Sequence, residues 1–276
     1  MNRHPGRDTS PANDITVAVV SHKSYPAPNK SPYLPLHLGA ALHPDILEDW
    51  AQDNTGANIS EKNGEYSELT GLYWLWKNCG SQYQGLVHYR RYLGSKSLAG
   101  RMPTNHWQSR VVQEDELREL FQSVDIILPR KRNYFIETIY SHYAHTFPAI
   151  QLDKTREIID STWHGYLPAF DHVMASTTAH MFNIFIMEKK KLDDYCSWLF
   201  PILAELENHI DDTGYDAFNL RYPGRISEML LDVWLYTNGY GFTELPIINS
   251  EPVNWVKKGS SFLRAKFTGK KYASSF

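Results

Sequence analysis

The sequence predicts an α/β domain built on one mixed, mostly parallel sheet that is flanked by helices. Apolar runs typical of strands alternate with amphipathic segments, from ITVAVV at 15–20 to RISEMLLDVWLYTN at 225–238. A chain of 276 residues with 42% hydrophobic content can bury a core of that size. Polar and basic residues follow several of the apolar runs, which is where open α/β sheets bind their ligands.

The first strand, ITVAVVS, ends at His22 and Lys23. A helix is predicted after NISEKNGEYSE, because Leu69, Leu72 and Trp76 recur on one face and Gly80 can end it. Further helices are predicted at 113–123, 152–166, 191–210 and 225–239, and further strands at 124–135, 180–190 and 241–247.

The segment YQGLVHYRRYL predicts a strand from Gly85 to Leu93. Because side chains alternate along a strand, His88 and Arg90 would lie on one face and Arg91 on the other if the strand persists that far. If the strand ends at Tyr89, both arginines could face one ligand. A buried strand that ends in a histidine and two arginines is unusual and needs an explanation.

Composition excludes several classes of protein. The 28 Lys and Arg residues are balanced by 31 Asp and Glu, so the chain lacks the basic field of a nucleic-acid-binding protein. Cys79 and Cys196 are too few for a disulfide framework, which suits the cytoplasm. No run approaches the roughly 18 apolar residues of a membrane span. We therefore expect a cytoplasmic protein.

We expect three segments along the chain. Residues 1–13 are polar and are predicted to be disordered, whereas 14–255 form a single domain. Residues 256–276 make a basic and aromatic tail that could contact a membrane surface.

Three cationic clusters follow predicted strands, and such side chains at one sheet edge suit a phosphate-bearing ligand such as a diphosphate. Surface ion pairs with carboxylates explain the arginines equally well. The clusters are His22 with Lys23, His88 with Arg90 and Arg91, and Arg130 with Lys131 and Arg132.

Other chemistry finds less support in the sequence. No GxSxG, P-loop, GxGxxG or DxD motif occurs. His142 and His145 share the SHYAH segment, but further ligands for a zinc ion are lacking nearby. General bases remain open among several carboxylates, for each of which a solvated surface position is the commoner case: Glu61, Glu68, Asp153, Asp171 and Glu228.

The chain resembles a family once described as a domain of unknown function and found among glycosyltransferases of bacterial capsular and exopolysaccharide biosynthesis. The resemblance covers residues 15–250 and is carried by VAVVSHKSYPAP, DNTGANISEKN, HYRRYL, IILPRKRNY, HYAH, HMFNIFIMEKKKLDDYCSWLFPIL and GRISEMLLDVWL. It implies a GT-A-like single domain.

The resemblance also implies a reaction and its partners. The protein would transfer a sugar from a nucleotide sugar, foremost a UDP-sugar with UDP-galactofuranose as the first to test, to a growing capsular, exopolysaccharide or O-antigen glycan. The acceptor would be this glycan or its polyprenyl diphosphate-linked form at the inner face of the cytoplasmic membrane. No nucleic acid is expected as a partner.

The same resemblance suggests residue roles. His88, Arg90 and Arg91 would replace part of the role of a DxD-bound metal, so that manganese or magnesium is not expected as a cofactor. Glu228 would be the base of an inverting transfer. Predicted donor-binding residues are His22, Lys23, Asn58, Ser60, Glu61, Glu68 and Tyr89, and predicted acceptor-binding residues are His180, Asn183 and Arg225.

Two alternatives stay open at this point. The chain could be a non-catalytic nucleotide-sugar or carbohydrate binding protein, in which the cations hold phosphate and no carboxylate acts as a base. It could also be a metal-dependent transferase that uses carboxylates of another pattern.

Overall fold

The computed structural model describes residues 14–28, 30–44, 49–97 and 107–251. The strands are β1 Ile15–Ser21, β2 Tyr33–His37, β3 Ala51–Gln52, β4 Tyr83–His88, β5 Arg91–Leu93, β6 Ile126–Pro129, β7 Arg132–Asn133, β8 Thr178–Ala179, β9 Phe185–Glu188, β10 Thr243–Leu245 and β11 Ile247–Asn249. The α-helices are α1 Asn63–Tyr66, α2 Leu69–Asn78, α3 Glu114–Leu120, α4 Ile139–Thr146, α5 Ile150–Thr162, α6 Leu167–Ala175, α7 Lys189–His209 and α8 Tyr222–Asn238. Short 3₁₀ turns occur at Ser60–Lys62, Trp107–Arg110, His164–Tyr166 and Asn219–Arg221.

Among the described residues, nine strands form one sheet in the order β10-β6-β9-β4-β1-β2-β3, with β5 beside β4 and β11 beside β5. Pairs β1–β2, β1–β4, β2–β3 and β6–β10 are parallel, whereas β9 runs antiparallel to both β4 and β6. Strands β7 and β8 pair separately. The predicted fold class, a mixed and mostly parallel sheet flanked by helices, is confirmed.

Alternating side chains of the central strands bury both faces of the sheet, as expected for strands that read as continuous apolar runs. In β1, Val17 and Val19 join a cluster with Leu117 of α3, whereas Ala18 and Val20 join one with Leu75 of α2. The largest cluster lies between the β6–β9 half of the sheet and helices α2 and α4–α8. The sheet is therefore a rigid support for whatever lies at its strand ends.

Two glycines explain local geometry. Gly239 ends α8 with a φ of 63°, as its position after the last apolar turn predicts. At Gly85, in β4, a Cβ atom would lie 2.4 Å from the carbonyl oxygen of Phe185, so the close approach of β4 and β9 requires glycine.

The strand predicted from Gly85 does not persist to Leu93, and its end is close to the alternative end at Tyr89. Strand β4 ends at His88, a turn covers Tyr89 and Arg90, and β5 runs back so that Arg91 pairs with His88. The backbone N–H of Tyr89 donates to Val20 O at 3.2 Å, and β5 pairs along its length with β11. The reversal lets β5 pair with β11 as well as with β4, and it brings Arg91 beside His88.

The two chain ends carry predictions that the structure leaves open. The disordered segment at 1–13 and the tail at 256–276 lie outside the described residues. Within the described part, no helix has the length and apolar character needed to cross a membrane.

Candidate active site

The carboxyl ends of β1 and β4 bring together a group that we call the Tyr89 cluster, consisting of His22, Lys23, Tyr89 and Arg90. The His22 ring meets the Tyr89 ring edge-on at 6.0 Å. Lys23 Nζ lies 5.3 Å, and the Arg90 guanidinium carbon 5.2 Å, from the centre of that ring. Adjacent parallel strands thus gather two predicted donor residues, His22 and Lys23, and one predicted catalytic residue, Arg90, around the ring of a third predicted donor residue, Tyr89.

Within this cluster Arg90 makes a surface ion pair. Its Nε lies 3.2 Å from Glu251 Oε2, and the two side chains are 46% and 47% exposed. Exposed pairs of this kind contribute about 0–1 kcal/mol to stability. The pair can therefore open for a ligand at little cost.

Arg91 lies deeper, on the side of the hairpin that faces α8. Its guanidinium carbon is 4.4 Å from the centre of the Phe182 ring, and that of Arg132 is 5.9 Å from the same ring. Burial lowers the pKa of Arg91, Glu228 opposes this shift and Arg132 adds to it. Arg91 is thus a partly desolvated cation beside a carboxylate.

A strained turn between β8 and β9 organises two carboxylates. Phe182 and Asn183 have φ values of 81° and 51°, both in the left-handed region that side chains rarely adopt. The backbone N–H of Phe182 donates to Glu228 Oε2 at 3.0 Å, and Asn183 Nδ2 donates to Glu68 Oε1 at 2.7 Å. One turn therefore holds both acids, which we call the carboxylate pair.

The turn is itself fixed to the start of α8. Asn183 Nδ2 also donates to Gly224 O at 3.1 Å, and its Oδ1 accepts from Ser227 Oγ at 3.1 Å. Asn183 is 2% exposed, so its amide is fully engaged within the protein. The sequence predicts an acceptor contact for Asn183, whereas the structure places it between the two halves of the carboxylate pair.

The carboxylate pair has unusual electrostatics. The pKa of Glu228 is raised to about 7, first by burial and then by the negative charge of Glu68. The Phe182 N–H, Arg91 and Arg132 act in the opposite direction and keep the shift limited. Glu228 can therefore hold and release a proton near neutral pH.

His88 lies near the carboxylate pair, and its imidazole is neutral at neutral pH. Burial lowers the pKa of His88 to about 4, Arg91 and Arg221 add to the shift, and Glu68 opposes it. Its Nε2 is buried and meets no hydrogen-bond partner among the described residues. A neutral histidine that feels the charge of the Glu68 carboxylate can donate or accept a hydrogen bond without adding charge.

Two cations of this region are absent from the residue roles that the resemblance suggests. Arg221, just before α8, donates from Nε to Ser67 Oγ at 2.9 Å. Burial lowers the pKa of both His22 and His88, and the charge of Arg221 adds to both shifts. No strand end or motif marks Arg221. Arg132 belongs to a basic cluster that is visible in the sequence. Its approach to Phe182, however, depends on the turn at Phe182 and Asn183, which the sequence does not predict.

The predicted donor-binding loop NISEKN is occupied by contacts within the protein. Asn58 Nδ2 donates to Asn54 O and Gly56 O at 3.0 and 2.9 Å, and its Oδ1 accepts from Ser60 N at 3.2 Å. Glu61 is exposed. The predicted ligand contacts of Asn58, Ser60 and Glu61 stay predictions.

The polar centre of this loop is Asp53, which is fully buried. Its carboxylate accepts from Ser60 Oγ at 2.5 Å, Thr70 Oγ1 at 2.6 Å, Gly39 N at 2.9 Å and Ala40 N at 3.1 Å. We call this group the Asp53 network. It ties the loop after β2 to the start of α2.

The two other predicted acceptor residues are also engaged internally. His180 is 1% exposed and contacts Asp232 through Nδ1 and Glu244 through Nε2, the latter at 3.0 Å. The Arg225 guanidinium carbon lies 4.1 Å from the Phe147 ring and 4.3 Å from the Phe218 ring, whose backbone oxygen accepts from Nη2. Their acceptor contacts stay predictions.

The remaining histidine and carboxylate candidates lie in other groups. His142 and His145 both contact Glu137, at 2.8 and 3.0 Å. Asp153 accepts from Tyr140 Oη at 3.0 Å, and Asp171 forms a two-point ion pair with Arg156 at 2.7 and 2.8 Å.

The fold and the strand-end site together define a class of α/β protein that is similar to glycosyltransferases. A solved structure described as the apo form of WbbM, a bifunctional glycosyltransferase, matches with a TM-score of 0.78 and 27% identity over 87% of this chain. This chain spans 46% of the length of that one.

The chain belongs to the family described as a domain of unknown function, DUF4422, whose model matches residues 16–239. The match includes β1, the hairpin of β4 and β5, and α8, and so contains the Tyr89 cluster and the carboxylate pair. No curated protein matches the sequence.

Proposed function

We propose that the protein is a glycosyltransferase that moves a sugar from a nucleotide diphosphate donor to a glycan acceptor, with inversion at the anomeric carbon. The observation that carries this proposal is the Glu228 carboxylate, which has a pKa of about 7. This carboxylate interacts with the cations Arg91 and Arg132 at the carboxyl edge of the parallel strands. A group that releases a proton near neutral pH suits general base catalysis.

In this reaction Glu228 is the general base. The acceptor hydroxyl attacks the anomeric carbon, its proton passes to Glu228, and the bond from that carbon to the diphosphate oxygen breaks. Inversion follows, because the hydroxyl attacks the face opposite to the departing diphosphate. Glu68 is a positioning residue, since its negative charge raises the pKa of Glu228 and so strengthens it as a base.

The leaving diphosphate gains negative charge as that bond breaks. Arg91 is suited to stabilise this charge, because it is partly desolvated and fixed by the hairpin, so that little reorganisation is needed. Arg90 and Lys23 lie around Tyr89 at the next strand end and are suited to bind the diphosphate more distantly. His88 supplies a neutral hydrogen-bonding group between these two regions.

We further propose that these cations make the reaction independent of a divalent metal. The donor is proposed to be a UDP-sugar, with UDP-galactofuranose as the first candidate, and the acceptor a capsular, exopolysaccharide or O-antigen glycan on a polyprenyl diphosphate. Neither the sugar nor the acceptor follows from the geometry of the site, so both rest on the family resemblance.

The experiment is a donor assay on the full chain. Purified protein is incubated with a panel of UDP-sugars in the presence of a chelator, with and without acceptor glycan, and released UDP is measured. Release by the native chain and its loss in Glu228→Gln would support the proposal. If the protein binds UDP-sugars but releases no UDP when acceptor is supplied, it is a nucleotide-sugar binding protein and not a transferase. Activity lost in chelator and restored by manganese would overturn the metal-free mechanism.

A further inference from the structure

The segment between β6 and α4 carries cations followed by two exposed apolar side chains. Arg130, Lys131 and Arg132 are all exposed, whereas Phe135 and Ile136 expose 77% and 68% of their surface to solvent. We call residues 130–136 the Phe135 loop. Adjacent large apolar side chains that protrude this far indicate a contact surface.

The protrusion is built into the loop. Tyr134 is 4% exposed and anchors the segment in the core. Phe135 adopts a φ of 60°, its N–H donates to Asn133 Oδ1 at 2.7 Å, and the N–H of Ile136 donates to Tyr134 O at 2.8 Å. A bulky residue in the left-handed region is costly, so a fixed turn that turns two apolar side chains outward calls for a reason.

We propose that the Phe135 loop docks on an anionic lipid bilayer. Phe135 and Ile136 would enter the interface between headgroups and acyl chains, where aromatic and aliphatic side chains are stabilised. Arg130 would lie against the negatively charged headgroups, whereas the Lys131 ammonium lies 3.9 Å from the Asp232 carboxylate and would contribute less. A soluble anionic glycan could pair with the cations, but it would leave the two apolar side chains without a role.

The position of the loop gives this contact a consequence. Arg132, within the loop, has its guanidinium carbon 5.9 Å from the centre of the Phe182 ring, and its charge acts on Glu228. A bilayer held by the loop therefore lies on the side of the molecule that carries the carboxylate pair. The lipid contact goes beyond the proposed function, and its use for a lipid-linked acceptor rests on that function.

The test is co-sedimentation of the full chain with vesicles of phosphatidylcholine alone and of phosphatidylcholine with phosphatidylglycerol. We expect binding to the anionic vesicles, and a loss of roughly tenfold or more in the double variant F135S/I136S, because two buried apolar side chains are removed. The matched control is Tyr236→Ser, which removes a side chain that is 61% exposed on α8. The control should bind as the native chain does.

A second variant tests the charge. Arg130→Gln should weaken binding to anionic vesicles about fivefold, which corresponds to one cation near the membrane surface. Lys190→Gln, an exposed cation at the start of α7, should not. Native binding by F135S/I136S, equal binding to neutral and anionic vesicles, or no vesicle binding by the full chain would overturn the proposal. UDP release without vesicles, measured for each variant, separates this outcome from a failure of the proposed function.

Discussion

Two buried polar groups of this protein, the Asp53 network and the carboxylate pair, differ in how completely they are satisfied. Asp53 accepts four hydrogen bonds from donors that its own loops provide. Glu228 accepts one from the Phe182 N–H, lies near a second carboxylate, and has a pKa of about 7. The Asp53 carboxylate is fully hydrogen-bonded within the protein, whereas the Glu228 carboxylate can accept further hydrogen bonds or a proton from a substrate.

The difference shows how to separate structural polar residues from candidates for chemistry. Buried polar groups in native proteins are normally hydrogen-bonded, so a fully paired carboxylate needs no further explanation. A carboxyl whose pKa lies far above its usual value, beside cations at a strand end, marks a functional site more specifically. We therefore expect substitutions in the two groups to act on different properties, activity in one and stability in the other.

The largest effect on activity is expected for Glu228→Gln. The amide keeps the size of the side chain but cannot take the acceptor proton, so kcat should fall by roughly 10²- to 10⁴-fold. The midpoint of urea unfolding should stay close to that of the native chain or rise, because a buried carboxyl next to Glu68 is neutralised. Native turnover by this variant would remove Glu228 from the mechanism.

The two hairpin arginines should differ in a matched pair of variants. Arg91→Ala should lower kcat by about 10²- to 10³-fold, as is typical when a preorganised charge that stabilises a leaving group is lost. Arg90→Ala removes an exposed ion pair with Glu251 and should change kcat less than about tenfold. Equal losses in the two variants, measured as UDP release, would contradict the distinction between a buried and a peripheral arginine.

Sequence patterns sufficed for the sheet and failed at the hairpin. The fold class follows from alternating apolar strands and amphipathic helices, and it is confirmed. The turn at Tyr89 and Arg90 contains no glycine, proline or asparagine, which are the residues that normally signal a tight reversal. Tyr92 and Leu93 beyond it are fully buried, so the apolar pattern continues through the reversal.

The site was predictable residue by residue but not as an arrangement. Glu68, Asn183 and Glu228 are all named from the sequence, yet they are brought together by a turn at two consecutive left-handed residues, which binds Glu228 through Phe182 and Glu68 through Asn183. Asparagine adopts the left-handed region more readily than most residues, but nothing in the sequence marks Phe182 for it. Arg221 comes near the site through the packing of α8 on α1, which is tertiary information.

The Asp53 network should respond in stability. Asp53→Ala leaves four donors without their acceptor, and we expect the free energy of unfolding to fall by about 3 kcal/mol or more. Urea unfolding followed by tryptophan fluorescence measures this loss. Thr70→Val, which removes one of these donors, should cost about 1 kcal/mol. An Asp53→Ala variant that is as stable as the native chain would show that the network is not structural.

The pH dependence tests the coupling within the carboxylate pair. Glu228 must be ionised to act as a base. The value of kcat/KM should therefore be highest above pH 7 and should fall as the pH drops through about 7. Glu68→Gln removes the neighbouring negative charge, which should move this acidic limb to lower pH by on the order of one unit. A limb that does not move would mean that burial alone sets the pKa of Glu228.

The smallest effect is expected for Glu61→Gln, in the predicted donor-binding loop. Glu61 is exposed, whereas Asn58 and Ser60 beside it are held by hydrogen bonds within the loop. We expect the free energy of unfolding to change by less than about 0.5 kcal/mol, as for ordinary surface substitutions. The KM for the UDP-sugar should stay within about twofold, because a surface carboxylate repels rather than binds a diphosphate. A rise in KM above about tenfold would instead show that Glu61 accepts a hydrogen bond from the donor, and would extend the active site to the loop that the Asp53 network supports.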